Sequence, residues 1–292
     1  MKKLIILDGN ALIYRAFYAL PPLKNKQGKL TNAVYGFTSI LFRFIQELNP
    51  DYLIATFDLE GPTFRNLEYK EYKAKRVKAP QDLYDQIPMV KEIVKSLDIP
   101  IYEKQGFEAD DVIGTILQKT KDEEIKKIII TGDLDTLQLI DQKTEVYTPK
   151  KGVKDMFVYD QKAVKERFDL NPNQIIDLKG LQGDSSDNIP GVPSIGQKIA
   201  VGLLKEFGSL EKLYKNLEAS DLNPKLKARL LEYKDLAFLS YKLATIKKDV
   251  PIDFDLKKCE WGEYDEKQVI KLLEELGFKS LINRLSDLKN NE

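Results

Sequence analysis

The sequence contains no histidine and only one cysteine, Cys259, among its 292 residues. The absence of histidine removes the commonest general base, the commonest zinc ligand and every Ser-His or Cys-His dyad. A single cysteine excludes an internal disulfide framework and a cysteine-rich metal site. Any chemistry must therefore use carboxylates, lysine, arginine, tyrosine or a cation held by oxygen ligands.

Long apolar runs and an excess of one charge are also missing. No stretch approaches membrane-spanning length, and Met1-Lys2-Lys3 leads straight into a short strand-like run instead of a signal peptide. These features predict a cytoplasmic protein with no membrane partner. The 46 Lys and Arg residues balance the 46 Asp and Glu residues, so only local charge clusters can indicate a partner.

Three short apolar runs each lead directly to aspartates. Residues 4–7 precede Asp8, residues 53–57 precede Asp58, and residues 128–131 precede Asp133 and Asp135. Such runs, separated by helical periodicity, predict an α/β fold with a mostly parallel central sheet flanked by helices. A single aspartate after a strand is usually a turn former or a helix cap. Three such runs favour a shared crevice at the carboxyl ends of the strands.

Two further stretches add acidic residues to this set. Glu108, Asp110 and Asp111 follow a turn at Gly106, where acids in a first helical turn could also simply complement the helix dipole. Asp184 and Asp187 lie three residues apart in the next stretch. The nine candidate metal ligands are Asp8, Asp58, Glu108, Asp110, Asp111, Asp133, Asp135, Asp184 and Asp187.

Nine converging carboxylates would repel one another strongly. Two unit charges about 4 Å apart interact by roughly 4 kcal/mol at an effective dielectric of about 20, and a domain is stable by only about 5–15 kcal/mol. Divalent cations relieve this repulsion while the acids stay ionised, and oxygen-only ligands favour Mg²⁺ or Mn²⁺. We predict two or more such ions, the usual device for phosphodiester hydrolysis.

A basic and aromatic run follows the second strand. It contains Phe64, Arg65, Tyr69, Lys70, Tyr72, Lys73, Lys75, Arg76 and Lys78. A solvated surface helix would explain a lone run of lysines, but cations interleaved with aromatic rings suit a nucleic-acid backbone and its bases. Its start near Asp58 favours the second explanation.

Strand-like runs cease beyond about Tyr159, and a domain boundary is predicted near residue 170. The first domain, residues 1–170, would carry the acids and the basic run, with a helix predicted over 82–97. Residues 171–292 would form a smaller helical region, with a helix over 224–244 and a frayed end at 290–292. Within it, glycines at 191 and 196 predict a hairpin whose following helix aims N–H groups at a phosphate.

Taken together, these motifs resemble a bacterial 5′ nuclease of the flap endonuclease superfamily. The likeness is closest to the N-terminal 5′–3′ exonuclease domain of DNA polymerase I. It rests on residues 7–12, 32–37, 72–76, 108–111, 131–135 and 183–191. The resemblance implies a PIN-like sheet domain with an arch or clamp region over about 61–90, two metal clusters, and a DNA-binding role for the helical region over 171–292. It also implies catalytic roles for Tyr72, Lys73 and Arg76 at the scissile phosphate. It also implies a helix–three-turn–helix over about 183–217, where such proteins often bind K⁺.

The resemblance further implies a substrate and a set of DNA contacts. The substrate would be branched or nicked duplex DNA with a 5′ flap or 5′ end, hydrolysed by two-metal-ion catalysis during primer removal and repair. A monomer that works beside a DNA polymerase is expected. The predicted DNA-binding residues are Arg65, Lys70, Gly191, Val192, Ser194, Gly196, Gln197 and Lys198.

Several alternatives stay open from the sequence. A PIN-like ribonuclease would share the acidic sheet edge, and a non-catalytic DNA-structure binder would share the hairpin and the basic run. A haloacid-dehalogenase-like phosphatase would need an aspartate where the chain has Asn10. The chain ends at Glu292 without a polymerase region, so it is either a free-standing nuclease or a fragment of a larger polymerase.

Overall fold

The computed structural model describes residues 1–149 and 156–288, so the predicted frayed end lies outside the described residues. A six-stranded sheet has the order β3-β2-β1-β4-β5-β6. All neighbouring strands are parallel except β5 and β6. The strands are β1 (Lys2–Asp8), β2 (Tyr52–Thr56), β3 (Ile101–Tyr102), β4 (Ile125–Ile130), β5 (Thr144–Pro149) and β6 (Met156–Tyr159). This confirms the predicted fold class.

The helices follow in chain order. They are α1 (Gly9–Ala19), α2 (Asn32–Leu48), α3 (Phe64–Glu68), α4 (Gln81–Tyr84), α5 (Ile87–Ser96), α6 (Ala109–Lys119), α7 (Gln161–Phe168), α8 (Ile175–Gln182), α9 (Gln197–Phe207), α10 (Leu210–Asn216), α11 (Pro224–Glu232), α12 (Lys234–Ala244), α13 (Glu266–Leu276) and α14 (Lys279–Leu285). Short 3₁₀ helices span Leu134–Leu139, Pro172–Gln174, Leu256–Cys259 and Ser286–Leu288. No described helix is both long and apolar enough to cross a membrane.

The sheet is buried on both faces, as its apolar strands require. Ile5 and Leu7 point into a core shared with α2 and α5, whereas Leu4 and Ile6 point into a second core shared with α6. This alternation is the two-residue period of a strand covered on both sides.

The carboxyl ends of the central strands lie side by side. Asp8 pairs in register with Thr56 of β2, and Leu7 pairs with Ile130 of β4. The loops that follow β2 and β4 therefore leave the sheet at the same edge as Asp8. This register places Asp58 and Asp133 beside Asp8.

Two predicted helices are broken in the structure. The helix expected over 82–97 divides between α4 and α5, because Pro88 lies in the first turn of α5 and has no amide hydrogen with which to continue a preceding helix. Between them, the buried Gln86 side chain accepts a hydrogen bond from the Ala33 amide of α2 at 2.8 Å. The helix expected over 224–244 divides at Tyr233, between α11 and α12. Strands β5 and β6 were not predicted.

The helical region has its own core, and its central turn depends on two glycines. Gly183 and Gly191 have φ values of +75° and +63°, which side chains rarely adopt. A Cβ atom at Gly191 would lie 2.2 Å from the backbone nitrogen of Gly183. The two backbones thus meet and close the loop that carries Asp184 and Asp187.

The last part of the chain returns to the sheet domain. Phe278, Leu273 and Leu281 are buried in the same core as Phe37 of α2, and Ile246 packs in the core on the opposite face. Residues after Thr245 therefore pack with the first domain, although they follow the helical region in sequence. The boundary near residue 170 stays a prediction.

Candidate active site

A cavity of about 1060 Å³ opens at the carboxyl edge of the sheet. Its acidic lining comprises Asp8, Asp58, Glu108, Asp110, Asp133, Asp135 and Asp187. Its basic lining comprises Arg15, Lys70, Lys73, Arg76 and Lys78. Acidic groups and basic groups from both predicted functional segments thus face one another across a single cavity. Asp111 and Asp184 are not part of its lining.

Local backbone structure holds several acids in place. Asp8 caps α1 by accepting from the Ala11 amide at 3.1 Å, and its other oxygen accepts from the Thr131 hydroxyl at 2.6 Å. Asp58 accepts from the Ala109 amide at 2.7 Å. Asp8 and Asp58 therefore do accept hydrogen bonds from backbone amides at helix starts, as aspartates after strands commonly do. Capping uses some of their lone pairs and leaves others directed at the cavity.

Four of the acids form no ion pair with any lysine or arginine that the structure describes. They are Asp8, Asp58, Asp110 and Asp133. The Oδ1 atom of Asp110 is buried and has no hydrogen-bond partner among the described residues. An orphaned buried carboxylate oxygen is costly unless a cation or proton satisfies it.

Burial makes ionisation of these groups unfavourable. It raises the pKa of Asp8, which is 6% exposed, to about 7, against the lowering effect of the Thr131 hydrogen bond. Burial likewise raises the pKa of Asp110 well above its usual range; Arg65 acts against this rise, and the Asp111 and Glu108 carboxylates add to it. A bound cation would reverse both shifts.

The other five acids are neutralised by side chains of the protein. Lys73 pairs with Glu108 at 2.7 Å, and Arg76 pairs with Asp187 at 2.8 Å. The remaining pairs join Arg65 to Asp111, and Lys179 to both Asp135 and Asp184. The acidic edge therefore divides into an ion-paired part and an unpaired part.

Lys179 is a site residue that the sequence did not reveal. The only signal was its position in the helix immediately before the Asp184 stretch. Although burial acts to raise the pKa of Asp184, the Lys179 ammonium lowers it to about 2. Burial, together with the Asp133 carboxylate, raises the pKa of Asp135 to about 7 in spite of Lys179.

The structure corrects the assignments of Arg65 and Asp111. Arg65 is 1% exposed and forms a bidentate pair with Asp111 at 2.7 and 2.8 Å, so it cannot bind DNA at the surface. The two Asp111 oxygens also accept from the backbone amides of Glu108 and Lys247. These four bonds use the acceptor capacity of a carboxylate, so Asp111 has no site left for a metal.

The basic run is docked on the loop that carries Asp187. The Lys73 amide donates to the Asp187 carbonyl at 2.8 Å, and the Asn188 side chain donates to the Glu71 carbonyl at 2.6 Å. The Tyr72 ring is buried, and its hydroxyl lies 3.0 Å from a Glu108 oxygen and 3.2 Å from an Asp187 oxygen, so its single hydrogen can be donated to either acid. Tyr72 thus holds two acids together and does not present its ring to a passing strand. Lys70 is exposed.

The hairpin is also corrected in part. The amides of Gly191 and Val192 donate to the Ser240 hydroxyl and the Leu181 carbonyl, so neither is free for a phosphate. Both residues are buried. The other predicted contacts, Ser194, Gly196, Gln197 and Lys198, are exposed at the start of α9. That helix start is the part of the hairpin that can meet a phosphate.

The unpaired acids suit a hard divalent cation. They offer oxygen ligands only, one buried oxygen lacks a partner, and their four negative charges would be balanced by two divalent ions. In the described ranges, no three acids are gathered closely enough to hold an ion as they stand. A cation bound here would have to draw the side chains closer together and would offset their mutual repulsion.

Fold and site together define an α/β protein with a carboxylate-rich cavity at the carboxyl edge of a mostly parallel sheet. The chain belongs to the 5′–3′ exonuclease family: the family's N-terminal resolvase-like domain matches residues 3–169, and its C-terminal SAM fold matches residues 170–267.

Curated relatives include DNA polymerase I of Bacillus subtilis (strain 168), which is 44% identical over 98% of this chain and 32% of its own length. The chain spans about a third of that relative. Among solved structures, T5 5′-exonuclease with bound divalent metal ions (zinc) has a TM-score of 0.71 at 20% identity, covering 98% of both chains. The catalytic core of Rad2 in complex with DNA substrate has a TM-score of 0.63 at 19% identity, covering 98% of this chain and 92% of its own. These structures share the fold.

Replacing Asp110 with Asn should uncouple stability from divalent cations. The substitution removes a buried charge that has no ion-pair partner, so the melting temperature in chelator should rise. In the unmodified protein, Mg²⁺ at about 100 times its dissociation constant should stabilise the fold by about 2.7 kcal/mol, and in the variant most of this gain should disappear.

Thermal melts with EDTA and with Mg²⁺ measure both effects. Asp253→Asn, at an exposed position, is the matched control and should melt like the unmodified protein. A variant whose Mg²⁺ response equals that of the control would show that Asp110 does not hold a cation.

Proposed function

We propose that this chain is a structure-specific 5′ nuclease, acting as a 5′–3′ exonuclease and a 5′-flap endonuclease on DNA. One observation carries the proposal: the unpaired carboxylates line the same cavity as the basic side chains of Lys70, Lys73 and Arg76. Such carboxylates bind divalent cations, and the lysine and arginine side chains opposite them can bind the phosphate of a phosphodiester. Primer removal during replication, and repair, are the settings that need this reaction.

Mg²⁺ or Mn²⁺ would be held by Asp8, Asp58, Asp110 and Asp133. When bound, such ions polarise the phosphate and make water a stronger nucleophile. Glu108, Asp135 and Asp187 line the same cavity but already have Lys or Arg partners. These three acids would either surround the metal ligands without touching the ions, or bind the ions directly after their Lys or Arg partners move away.

Lys73 and Arg76 would position the scissile phosphate and balance its developing charge. Both are held at the cavity by acids, Lys73 by Glu108 and Arg76 by Asp187. Arg76 is about half exposed, so it can turn to a phosphate without leaving the site. Tyr72, hydrogen-bonded to the same two acids, would keep them aligned.

The start of α9 would hold duplex DNA away from the bond that is cut. Gly196 caps this helix with open space around it, and Gln197 and Lys198 are exposed in the first turn. Free N–H groups and a lysine there suit a backbone phosphate. A K⁺ ion bound by backbone carbonyls of the hairpin would add a positive charge. The protein would work as a cytoplasmic monomer beside a DNA polymerase.

Cleavage of a labelled 5′ flap in the presence of Mg²⁺ tests this function. We expect cleavage at the base of the flap, none in EDTA, and little on the matching single strand. The RNA counterpart and a phosphate monoester serve as parallel substrates. Preferred cleavage of the RNA would favour a ribonuclease, and tight flap binding without cleavage in any divalent ion would leave only a DNA-structure binder.

Lys73→Ala and Arg76→Ala should each lower the single-turnover rate by about 10²-fold or more, the scale for losing one preorganised electrostatic contact. Affinity for the flap should change much less, because these contacts strengthen in the transition state. Lys75→Ala, which removes a neighbouring exposed lysine outside the cavity lining, is the matched control. If Lys73→Ala and Arg76→Ala lowered the affinity for the flap but left the saturated rate unchanged, the basic run would be only a docking surface.

Gly196→Val should have the opposite signature. A Cβ atom at Gly196 meets nothing within 4 Å, so the fold should tolerate the side chain while close approach of a phosphate is obstructed. Duplex binding, measured by titration at fixed salt, should weaken, and the saturated cleavage rate should stay nearly unchanged. Gly202→Val on the same helix also meets open space and controls for helix propensity. If Gly196→Val bound duplex DNA as tightly as Gly202→Val does, the start of α9 would not be part of the DNA interface.

A further inference from the structure

Lys179, like Arg65, is a cation of the acidic edge that lies outside the cavity lining. It belongs to α8, and its side chain is 12% exposed. Its ammonium group donates to Asp135 Oδ1 and, at 2.6 Å, to Asp184 Oδ2. A lysine in this position bridges two of the nine acids that were predicted as metal ligands.

Both carboxylate oxygens of Asp184 accept hydrogen bonds. Its Oδ1 accepts from the Ser186 amide at 2.8 Å and from the Ser186 hydroxyl at 2.6 Å, while Oδ2 accepts from Lys179. The backbone of Asp184 is fixed as well, since it exchanges two hydrogen bonds with Ile189. Asp184 thus acts as an anchor that directs Lys179 at Asp135.

Asp135 is the point where the two parts of the edge meet. It lines the cavity together with Asp133, which has no ion-pair partner, and with Asp187. The Lys179 ammonium therefore lies behind the cavity wall and supplies one positive charge to an acid that faces it. A divalent ion bound by Asp135 would have to share that carboxylate with Lys179 or remove the ammonium from it.

We propose that Lys179 is a built-in monovalent counter-ion that sets the affinity of the Asp135 side of the site for a second divalent cation. This rests on the proposed function, because it assumes that cations bind at this edge. The unpaired acids bind a first ion tightly. A second ion binds more weakly, because it competes with an ammonium group already held by two charge-assisted hydrogen bonds.

Mn²⁺ binding to the whole chain, followed by the electron paramagnetic resonance signal of free Mn²⁺, tests this. The unmodified protein should bind one ion tightly and another weakly. Lys179→Met should lower the dissociation constant of the weaker ion at least about tenfold, the change expected for about 1.4 kcal/mol, and leave the tight ion unchanged. Lys179→Arg keeps the charge and should behave like the unmodified protein.

Lys205→Met is the matched control, because Lys205 also pairs with an aspartate, Asp169, but at an exposed position. Unchanged or weaker binding of the second ion by Lys179→Met would overturn the inference. Absence of any Mn²⁺ binding by the unmodified protein would instead contradict the proposed function.

Thermal melts keep the test decisive if Lys179→Met folds poorly. The variant should melt at a lower temperature in EDTA, because Asp135 and Asp184 lose their counter-ion, and Mn²⁺ should raise its melting temperature by more than it raises that of the unmodified protein. A loss of stability that Mn²⁺ does not recover would assign Lys179 a purely structural role and overturn the inference.

Discussion

Repulsion among acidic side chains at one edge of the sheet is the constraint on which the rest of the structure depends. Parallel strands deliver Asp8, Asp58 and Asp133 to the same edge, and α6 adds Glu108 and Asp110. The fold answers this repulsion in two ways. It brings lysine and arginine to some of the acids, and it leaves the others to a cation from solution.

The protein's own cations also connect the two halves of the chain. Arg65 follows the second strand, yet it donates to the carbonyls of Leu243 and Thr245 at the end of α12, at 2.8 and 3.0 Å. Lys179 of α8 reaches Asp135 beyond β4. The helical region is thereby held to the acidic edge by the Lys179–Asp135 ion pair and by hydrogen bonds from the buried Arg65 guanidinium to backbone carbonyls. Removing one partner of such a contact would leave the other charged group without its partner. DNA held by α9 would keep a fixed relation to the cavity.

The sequence predicted what depends on strand periodicity. An apolar run followed by an aspartate was enough to place Asp8, Asp58 and Asp133 together, because parallel strands share one carboxyl edge. It could not predict the partners of the acids. Arg65 lies in a run of basic residues, yet it is itself buried. The sequence could not predict this burial, because the partners of Arg65, Leu243 and Thr245, are distant in sequence. Lys179 and the internal bonds of Gly191 and Val192 were missed for the same reason.

Anomalous diffraction from a crystal grown with limiting Mn²⁺ would test the division of the acidic edge most directly. The account predicts that the first anomalous peak lies within coordination distance of oxygens from the unpaired acids, with Asp110 among its ligands. Any second peak should appear only at higher Mn²⁺, on the Asp135 side. A first peak between Asp135 and Asp184, with Lys179 displaced, would contradict the account.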